Sequence, residues 1–248
     1  MPRDKLASEK SMEIDGVLLI NKPKGYTSHD MVAFIRRKFH VKKVGHCGTL
    51  DPIATGLLIL VLGKATKIQD LLMSEDKVYR GRMRLGQITD TQDADGVILE
   101  ERPVPQYSDA EIQEAFERFT GDFYQTPPMI SAVKYKGIPL YKLARAGKNV
   151  ERKPRIVHLY YYKILGRDSQ HIDFEIGCSK GFYVRTYCHD IGLALGCGAH
   201  LVELTRLRSG NFTLDQAISW ETLQALDSPS QLLQHVLPLP EVSRLRRR

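Results

Sequence analysis

The segment from 45 to 56, which reads GHCGTLDPIATG, places one carboxylate, that of Asp51, on a tight loop. Gly45 and Gly48 admit backbone angles that are closed to other residues, and Pro52 keeps Asp51 out of the helical region. A carboxylate on a rigid loop is suited to nucleophilic attack, because its orientation is fixed before the substrate arrives. The competing interpretation is an ordinary turn aspartate, which is common in proteins.

Arg185, in the segment YVRT, is a candidate charge partner for this carboxylate. A turn precedes it, and the pattern from Tyr183 to Leu195 predicts a helix that ends at Gly196. In a pocket with Asp51, the guanidinium would keep the carboxylate ionised and oriented. A surface arginine is the alternative.

The elements that must position these residues are mixed strands and helices. The apolar run from Leu57 to Leu62 predicts a buried strand. The run from Val78 to Leu85 alternates, with Tyr79 on the apolar side and arginines on the other, which predicts a strand with one basic face. Because no strict βαβ rhythm is present, the sequence predicts an α+β fold. Further predicted elements are a strand over 14–20, a turn over 21–25, a helix capped by Ser28, a helix with a capping box at Ser108 and Glu111, two strands within 156–177 and a strand over 200–208.

Bulk composition is that of an ordinary globular protein. The chain has 248 residues, of which 42% are hydrophobic and 26% charged, and its formal net charge is +7. This basic balance favours a polyanionic partner. No apolar run is long enough to span a bilayer, and residues 1–12 lack the apolar stretch of a signal peptide, so we expect a cytoplasmic protein with a disordered leader. The four cysteines form no CxxC pair, which favours a reduced state.

Sequence motifs for cofactors are absent. The acidic run from Asp90 to Gly96 fails the EF-hand template and is typical of a turn between strands. The sequence holds no GxGxxG, GxxxxGK[ST] or HExxH motif, so we expect neither a nucleotide cofactor nor a metal.

The stretch from 134 to 155 is dense in cations. Lys134, Lys148 and Arg152 are among them, and Tyr135 and Tyr141 are interleaved. A solvated helix face is the usual meaning of such a run. Cations with interleaved aromatics also suit a mobile arm that binds phosphates and stacks on exposed bases, and we favour that interpretation.

Together these motifs resemble the TruB family of tRNA pseudouridine synthases, which convert uridine-55 of the TΨC loop to pseudouridine. The resemblance covers about residues 14–212. The blocks that carry it are GVLLINKPKGYTSHD, GHCGTLDPIATGLLILVLGKATK, KVYRGRMRLGQITDTQDADG, TPPMISAVKYKGIPLYKLARAG and CSKGFYVRTYCHDIGLALGCGAHLVELTRLRSGNF, followed by ISW.

The resemblance implies a role for each matching residue. Asp51 resembles the catalytic aspartate, Tyr79 the tyrosine that stacks on the target uracil and takes part in proton removal, and Arg185 the ion-pair partner of the aspartate. The residues implied to bind substrate are His46, which helps to displace the target base, Lys22 and Tyr26, which shape the pocket, Leu204, which lines it, and Lys134, Lys148 and Arg152 in the basic stretch.

The implied fold is a mixed, mainly antiparallel sheet flanked by helices. The resemblance implies a catalytic domain over residues 13–212 and, within it, a thumb-like insertion (residues 127–155) that closes on RNA. Residues 213–248 are expected to form a short helical tail with a loose basic end, too short for a full PUA domain. The implied partner is the TΨC stem-loop of tRNA, with no obligate protein partner, and we expect a monomer.

Two hypotheses from different classes use the same basic surface. The first is an enzyme that isomerises uridine, and the second is a folding factor that opens and refolds tRNA. They differ at Asp51, which only the enzyme needs, so the set of Asp51, Tyr79 and Arg185 favours the enzyme. A guide-RNA-dependent synthase subunit is a third, less favoured alternative, because that class is expected to carry a PUA domain.

Overall fold

A computed structural model describes residues 13–246 of the chain. The predicted disordered leader, residues 1–12, lies outside the described residues. The strands are β1 (Gly16–Lys22), β2 (Val44–His46), β3 (Ala54–Leu62), β4 (Lys77–Leu85), β5 (Gln87–Thr89), β6 (Ile98–Glu101), β7 (Gly121–Gln125), β8 (Lys134–Tyr135), β9 (Ile138–Pro139), β10 (Arg155–Arg167), β11 (His171–Cys178), β12 (Ala199–Ser209), β13 (Phe212–Thr213) and β14 (Val236–Leu237). The helices are α1 (Ser28–Phe39), α2 (Gln69–Met73), α3 (Asp109–Glu117), α4 (Leu140–Arg145), α5 (Val184–Leu195), α6 (Trp220–Ala225), α7 (Pro229–Leu233) and α8 (Leu239–Arg246).

A large central sheet has the strand order β14-β1-β3-β12-β4-β11-β10-β7, with β2 added to β3 and β13 added to β12. Its pairings are antiparallel except for β3 with β12, which run parallel through Leu204 and Ala54. The predicted α+β fold with a mixed, mainly antiparallel sheet is therefore confirmed. Two small hairpins, β5–β6 and β8–β9, lie outside this sheet.

Strand β3 is buried on both of its faces. Leu58, Leu60 and Leu62 pack into the main core, whereas alternate residues of the same strand pack into a second, smaller core on the other side of the sheet. Because side chains alternate along a strand, a strand with a core on each side must be continuously apolar. The buried strand that was predicted directly after Asp51 is thus confirmed, and it anchors the loop.

Helix α1 begins one residue earlier than the sequence predicts. Thr27 is the N-cap, and its side chain accepts from the amide of Asp30 in a capping box. The prediction that Ser28 caps this helix is wrong, because the buried Ser28 hydroxyl instead accepts a 2.8 Å hydrogen bond from the amide of Leu50. The residue therefore ties α1 to the loop that carries Asp51.

The segment after β13 is packed against the sheet. Strand β14 pairs with β1, and Val242 of α8 is buried in the smaller core. Arg246 contacts Glu75 at 2.9 Å. The prediction of a loose basic end is therefore wrong as far as Arg246, because this segment has apolar side chains of its own that cover one sheet face.

The four cysteines are unpaired and buried, as expected for a reduced protein. Within residues 13–246, no helix is long and apolar enough to cross a membrane.

Candidate active site

Asp51 lies on a loop between β2 and β3, and neighbouring elements hold that loop on several sides. Its carbonyl accepts from the amide of Ala54 at 3.0 Å, and the next carbonyl, that of Pro52, accepts from the amide of Gly25 at 2.8 Å. Gly48, upstream in the same loop, has a φ of +93°, which a side chain would strain. The carboxylate is one-third exposed, so it is accessible to a substrate.

The Arg185 guanidinium meets this carboxylate. Its Nε lies 2.8 Å from Oδ2 of Asp51, and the Arg185 side chain is only 3% exposed. The same guanidinium donates to the carbonyls of Thr91 and Ile130, both at 2.8 Å. No hydrogen-bond acceptor is aligned with the Nε proton among the described residues, so the contact with Asp51 is an ion pair rather than an aligned hydrogen bond.

A second carboxylate lies against Arg185. Oδ2 of the buried Asp93 is 3.4 Å from Nη1 of Arg185. Burial raises the pKa of Asp93, whereas hydrogen bonding by the Thr91 hydroxyl and the charge of Arg185 oppose that rise. Arg185 lies in the first turn of α5, where the helix dipole disfavours a cation, and the two carboxylates offset that unfavourable interaction.

Sequence reasoning missed Asp93. The predicted turn between strands is confirmed, since Asp93 lies between the paired strands β5 and β6. Within that turn its Oδ1 accepts from the Thr91 hydroxyl at 2.5 Å and from the Asp95 amide at 3.1 Å. The sequence signal that could have found Asp93 is the presence of three aspartates, Asp90, Asp93 and Asp95, in one short turn, which is more than a turn needs.

Tyr79 lies on β4 in the main core and is 8% exposed. Burial raises the pKa of its hydroxyl, and the charge of Asp51 adds to that rise, while the guanidinium of Arg206 opposes it. Arg206 faces Tyr79 across the β4–β12 ladder. It is 1% exposed, and sequence reasoning also missed it, because one arginine on a predicted strand carries no local signal.

Tyr183 is a third residue that the sequence did not single out. It is the N-cap of α5, and the side chain of Gln125 holds its backbone in both directions. Gln125 Nε2 donates to the Tyr183 carbonyl at 3.0 Å, and the Tyr183 amide donates to Gln125 Oε1 at 2.7 Å. Burial raises the pKa of the Tyr183 hydroxyl, with Asp51 and Arg185 both close enough to act on it. Its ring therefore belongs to the same site.

The predicted pocket residues fall into two groups. Lys22 is fully buried at the end of β1 and donates to the carbonyls of Pro23 at 2.9 Å and Tyr26 at 2.7 Å, and burial lowers its pKa to about 8. Leu204 lies on β12 between β3 and β4 and is 7% exposed. Lys22 braces the turn that contacts the loop of Asp51, and Leu204 pairs with Ala54 at the start of the strand that follows this loop.

The other two residues are less enclosed by the sheet. His46 ends β2, and burial lowers the pKa of its imidazole, which favours the neutral form. Tyr26 is 41% exposed, and its ring packs against Trp220 with centroids 5.4 Å apart. Tyr26 is thus available to a bound molecule at the rim of the site.

The thumb-like insertion leaves the sheet after β7 and returns as β10, its antiparallel neighbour. Lys134 and Lys148 are exposed along it, whereas Arg152 is half-buried and donates to the Pro127 carbonyl at 3.2 Å. Among the described residues, none of these three cations forms a salt bridge with Asp51. The base of the insertion does reach the ion pair of Asp51, since Ile130 provides a carbonyl to Arg185.

Within residues 13–246, no group of three or more His, Cys, Asp or Glu side chains is arranged to hold a metal ion. The polar groups that converge on the site are carboxylates, guanidinium groups and phenols.

Comparisons with known proteins point to the same family over most of the chain. A model described as TruB family pseudouridylate synthase (N terminal domain) matches residues 36–184, and one described as tRNA pseudouridylate synthase B C-terminal domain matches residues 185–243. The chain is 49% identical to the tRNA pseudouridine synthase B of Opitutus terrae over 94% of this chain and 92% of that protein. It is 48% identical to the protein of the same name from Syntrophotalea carbinolica, over 89% and 73% of the two chains.

Among solved structures, a chain from a Cbf5–Nop10–Gar1 complex superposes with a TM-score of 0.71 at 28% identity, over 94% of this chain and 62% of that one. The fold and these matches define a pseudouridine synthase. Within that class, the chain belongs to the TruB family.

Proposed function

We propose that this protein isomerises uridine-55 in the TΨC loop of tRNA to pseudouridine. The observation that carries the proposal is the accessible carboxylate of Asp51, oriented by the buried Arg185, in a chain about half identical to relatives named tRNA pseudouridine synthase B. The proposal needs no cofactor, since the reaction involves no net oxidation and no energy input.

The target uridine must leave the folded RNA loop before a side chain can reach it. Tyr79 and Leu204 would hold the extruded base, one by stacking and the other by apolar contact, and the neutral His46 would help to displace it. Lys22 and Tyr26 would shape the edge of the pocket, as the turn that they brace lies against the loop of Asp51.

The carboxylate of Asp51 attacks either carbon 6 of the uracil or the anomeric carbon of the ribose. The glycosidic bond then breaks, the uracil rotates within the closed pocket and carbon 5 bonds to the ribose. The bond between Asp51 and the substrate breaks, which restores the carboxylate. The hydrogen of carbon 5 leaves as a proton. Arg185 orients Asp51 toward the substrate, because its own position is fixed by Asp93 and two carbonyls.

The thumb-like insertion would close on the RNA, with Lys134, Lys148 and Arg152 binding phosphates. We assign the catalytic domain to residues 13–212, the thumb-like insertion to residues 127–155 and the remainder to a C-terminal extension. We also propose that the enzyme acts in the cytoplasm as a monomer and without a protein partner. The names of its curated relatives mention no partner, which supports that assignment.

A pure folding factor is not favoured, because it would not need a carboxylate held by a buried arginine. The deciding experiment measures tritium release from an unmodified tRNA transcript labelled at carbon 5 of uridine. We expect release by the wild type and none by Asp51→Asn, with tRNA binding nearly unchanged. Asp215→Asn, which removes an exposed carboxylate, is the matched control. Turnover by Asp51→Asn, or binding without release by the wild type, would overturn the proposal.

A further inference from the structure

Arg206 is a buried cation that has no role in the reaction steps described above. It lies on β12, is 1% exposed and is one of the largest fully buried side chains of the protein. Within residues 13–246, no carboxylate lies within ion-pair distance of its guanidinium, whereas the equally buried Arg185 has two. A charge is costly to bury without a partner, so a residue of this kind needs a reason to be there.

The guanidinium lies beneath the loop that carries Asp51. Its Nε donates to the Leu57 carbonyl of β3 at 2.7 Å, and its Nη2 donates to the Gly48 carbonyl at 3.2 Å. A side chain at Gly48 would bring a Cβ within 3.4 Å of Nη1. One planar group thus joins the strand after Asp51 to the loop before it, which a single ammonium could not do with the same geometry.

The same guanidinium is close enough to the Tyr79 hydroxyl for its charge to act on it. Arg206 and Tyr79 are opposite each other on neighbouring strands of the sheet. The groups that act on the Tyr79 hydroxyl are Arg206, Asp51 and the Cys178 thiol, and of these only Arg206 favours the phenolate. Beyond Tyr79, the titratable groups that feel the charge of Arg206 are Lys22, His46, Cys47 and Lys77.

We propose that Arg206 is a positioning residue that fixes the loop of Asp51 from below and keeps a positive charge against the hydroxyl of Tyr79. This inference rests on the proposed function. It adds a second arginine to the site with a task different from that of Arg185. Arg185 orients the attacking carboxylate. Arg206 instead favours the ionised form of the Tyr79 hydroxyl, which is the group that would accept the proton of carbon 5.

The test is the pH profile of single-turnover tritium release in Arg206→Gln. Losing the positive charge should lower the rate at neutral pH at least about tenfold and move the rising limb of the profile to higher pH by about one unit. Placing 3-fluorotyrosine at position 79, which makes the phenol more acidic, should restore part of that rate. Arg118→Gln, which removes an exposed arginine at the end of α3, is the control and should leave the profile in place.

Burial lowers the pKa of Lys22 and of Lys77 to about 8, so their contribution has to be separated. We therefore compare Tyr79→Phe with the double variant Arg206→Gln/Tyr79→Phe, in assays long enough to record slow release; the shift that is left there measures the part of the lysines. A shift as large in this background as in the presence of the Tyr79 hydroxyl, or a rate that falls equally at all pH values, would contradict the role of charge at Tyr79. Lack of release by the wild type would instead count against the proposed function itself.

Arg206→Lys covers the case in which the glutamine variant does not fold. Lysine keeps the charge but cannot donate to both carbonyls, so we expect the pH profile of the wild type with kcat lowered about tenfold and KM unchanged. A wild-type kcat in Arg206→Lys would overturn the claim that the forked guanidinium positions the loop.

Discussion

Asp93 lies 3.4 Å from Arg185 although the two residues come from a hairpin turn and a helix that are distant in sequence. The carboxylate of Asp93 and the guanidinium of Arg185 are both almost fully buried, so both partners of this contact are shielded from water. Arg185 therefore bridges two carboxylates that differ in access to solvent: Asp51 is open to a substrate, and Asp93 is closed to it. This asymmetry separates the reacting group from the group that supports it.

Asp93→Asn should slow the chemical step without weakening tRNA binding. The asparagine keeps the shape and most hydrogen bonds but removes the charge that holds Arg185, so we expect single-turnover tritium release to fall at least about tenfold. Asp95→Asn, an exposed neighbour in the same turn, is the matched control and should retain the wild-type rate. Equal rates for both variants would mean that Asp51 alone suffices to fix Arg185.

Asp51 was predicted from the sequence, whereas Asp93 was not, and the difference lies in what determines the position of each residue. Asp51 was found because its loop is defined locally, by glycines, a proline and the buried strand that follows. Asp93 acquires its position from the packing of its turn against α5, for example through the 2.8 Å hydrogen bond between Thr186 and Gln92. No local pattern encodes that contact. From the residues alone the Asp51–Arg185 ion pair was only a condition, whereas the family resemblance implied it; the structure contains the pair.

For the fold as well, the elements that local sequence patterns determine were predicted correctly, and those that depend on distant contacts were not. Alternation predicted β4 correctly, and the capping box at Ser108 predicted the start of α3. The errors are at Ser28, whose hydroxyl is used in a tertiary contact instead of a cap, and at the C-terminal basic end, which continues α8 as far as Arg246 and contacts Glu75 there. Both outcomes depend on elements far away in the chain.

The cations of the thumb-like insertion give a prediction about salt dependence. Lys148→Glu should weaken tRNA binding and make log K less dependent on log salt concentration, because each phosphate contact that is lost lowers the slope by about one. Arg118→Glu makes the same charge change in α3 and should leave the slope as it is. Equal slopes for the wild type and Lys148→Glu would identify Lys148 as a merely solvated cation. Arg152 is less suitable, since it also braces Pro127.

Gln125 is predicted to stabilise the start of α5. Gln125→Leu would leave the partly buried Tyr183 amide without a partner, whereas the Tyr183 carbonyl keeps the hydrogen bond from the Tyr187 amide, so the free energy of unfolding should fall by about 1–3 kcal/mol. Urea denaturation measures this loss, and Gln224→Leu, at an exposed site, should change it by less than about 0.5 kcal/mol. A stability loss for Gln125→Leu no larger than that of the control would argue that Tyr183 is held by other contacts. Because α5 carries Arg185, we also expect the rate of tritium release to fall.

Asp190, in the middle of α5, should make the stability depend on pH. Burial raises the pKa of its carboxyl from about 3.8 to about 6. The folded state therefore holds this proton more tightly than the unfolded state, and its contribution to stability is fully present below pH 4 and lost as the pH rises through 6.

Asp190→Asn keeps the shape of the protonated carboxyl, so the variant should be more stable than the wild type above pH 6. The two-unit rise in pKa corresponds to at most about 3 kcal/mol, and partial access to solvent reduces our expectation to about 1 kcal/mol. Urea denaturation at pH 4 and pH 7 measures the difference, with Asp215→Asn as a control for the change in net charge. The gain should vanish at pH 4. A gain of equal size at both pH values would show that the asparagine acts through packing, with no part played by the titration of Asp190.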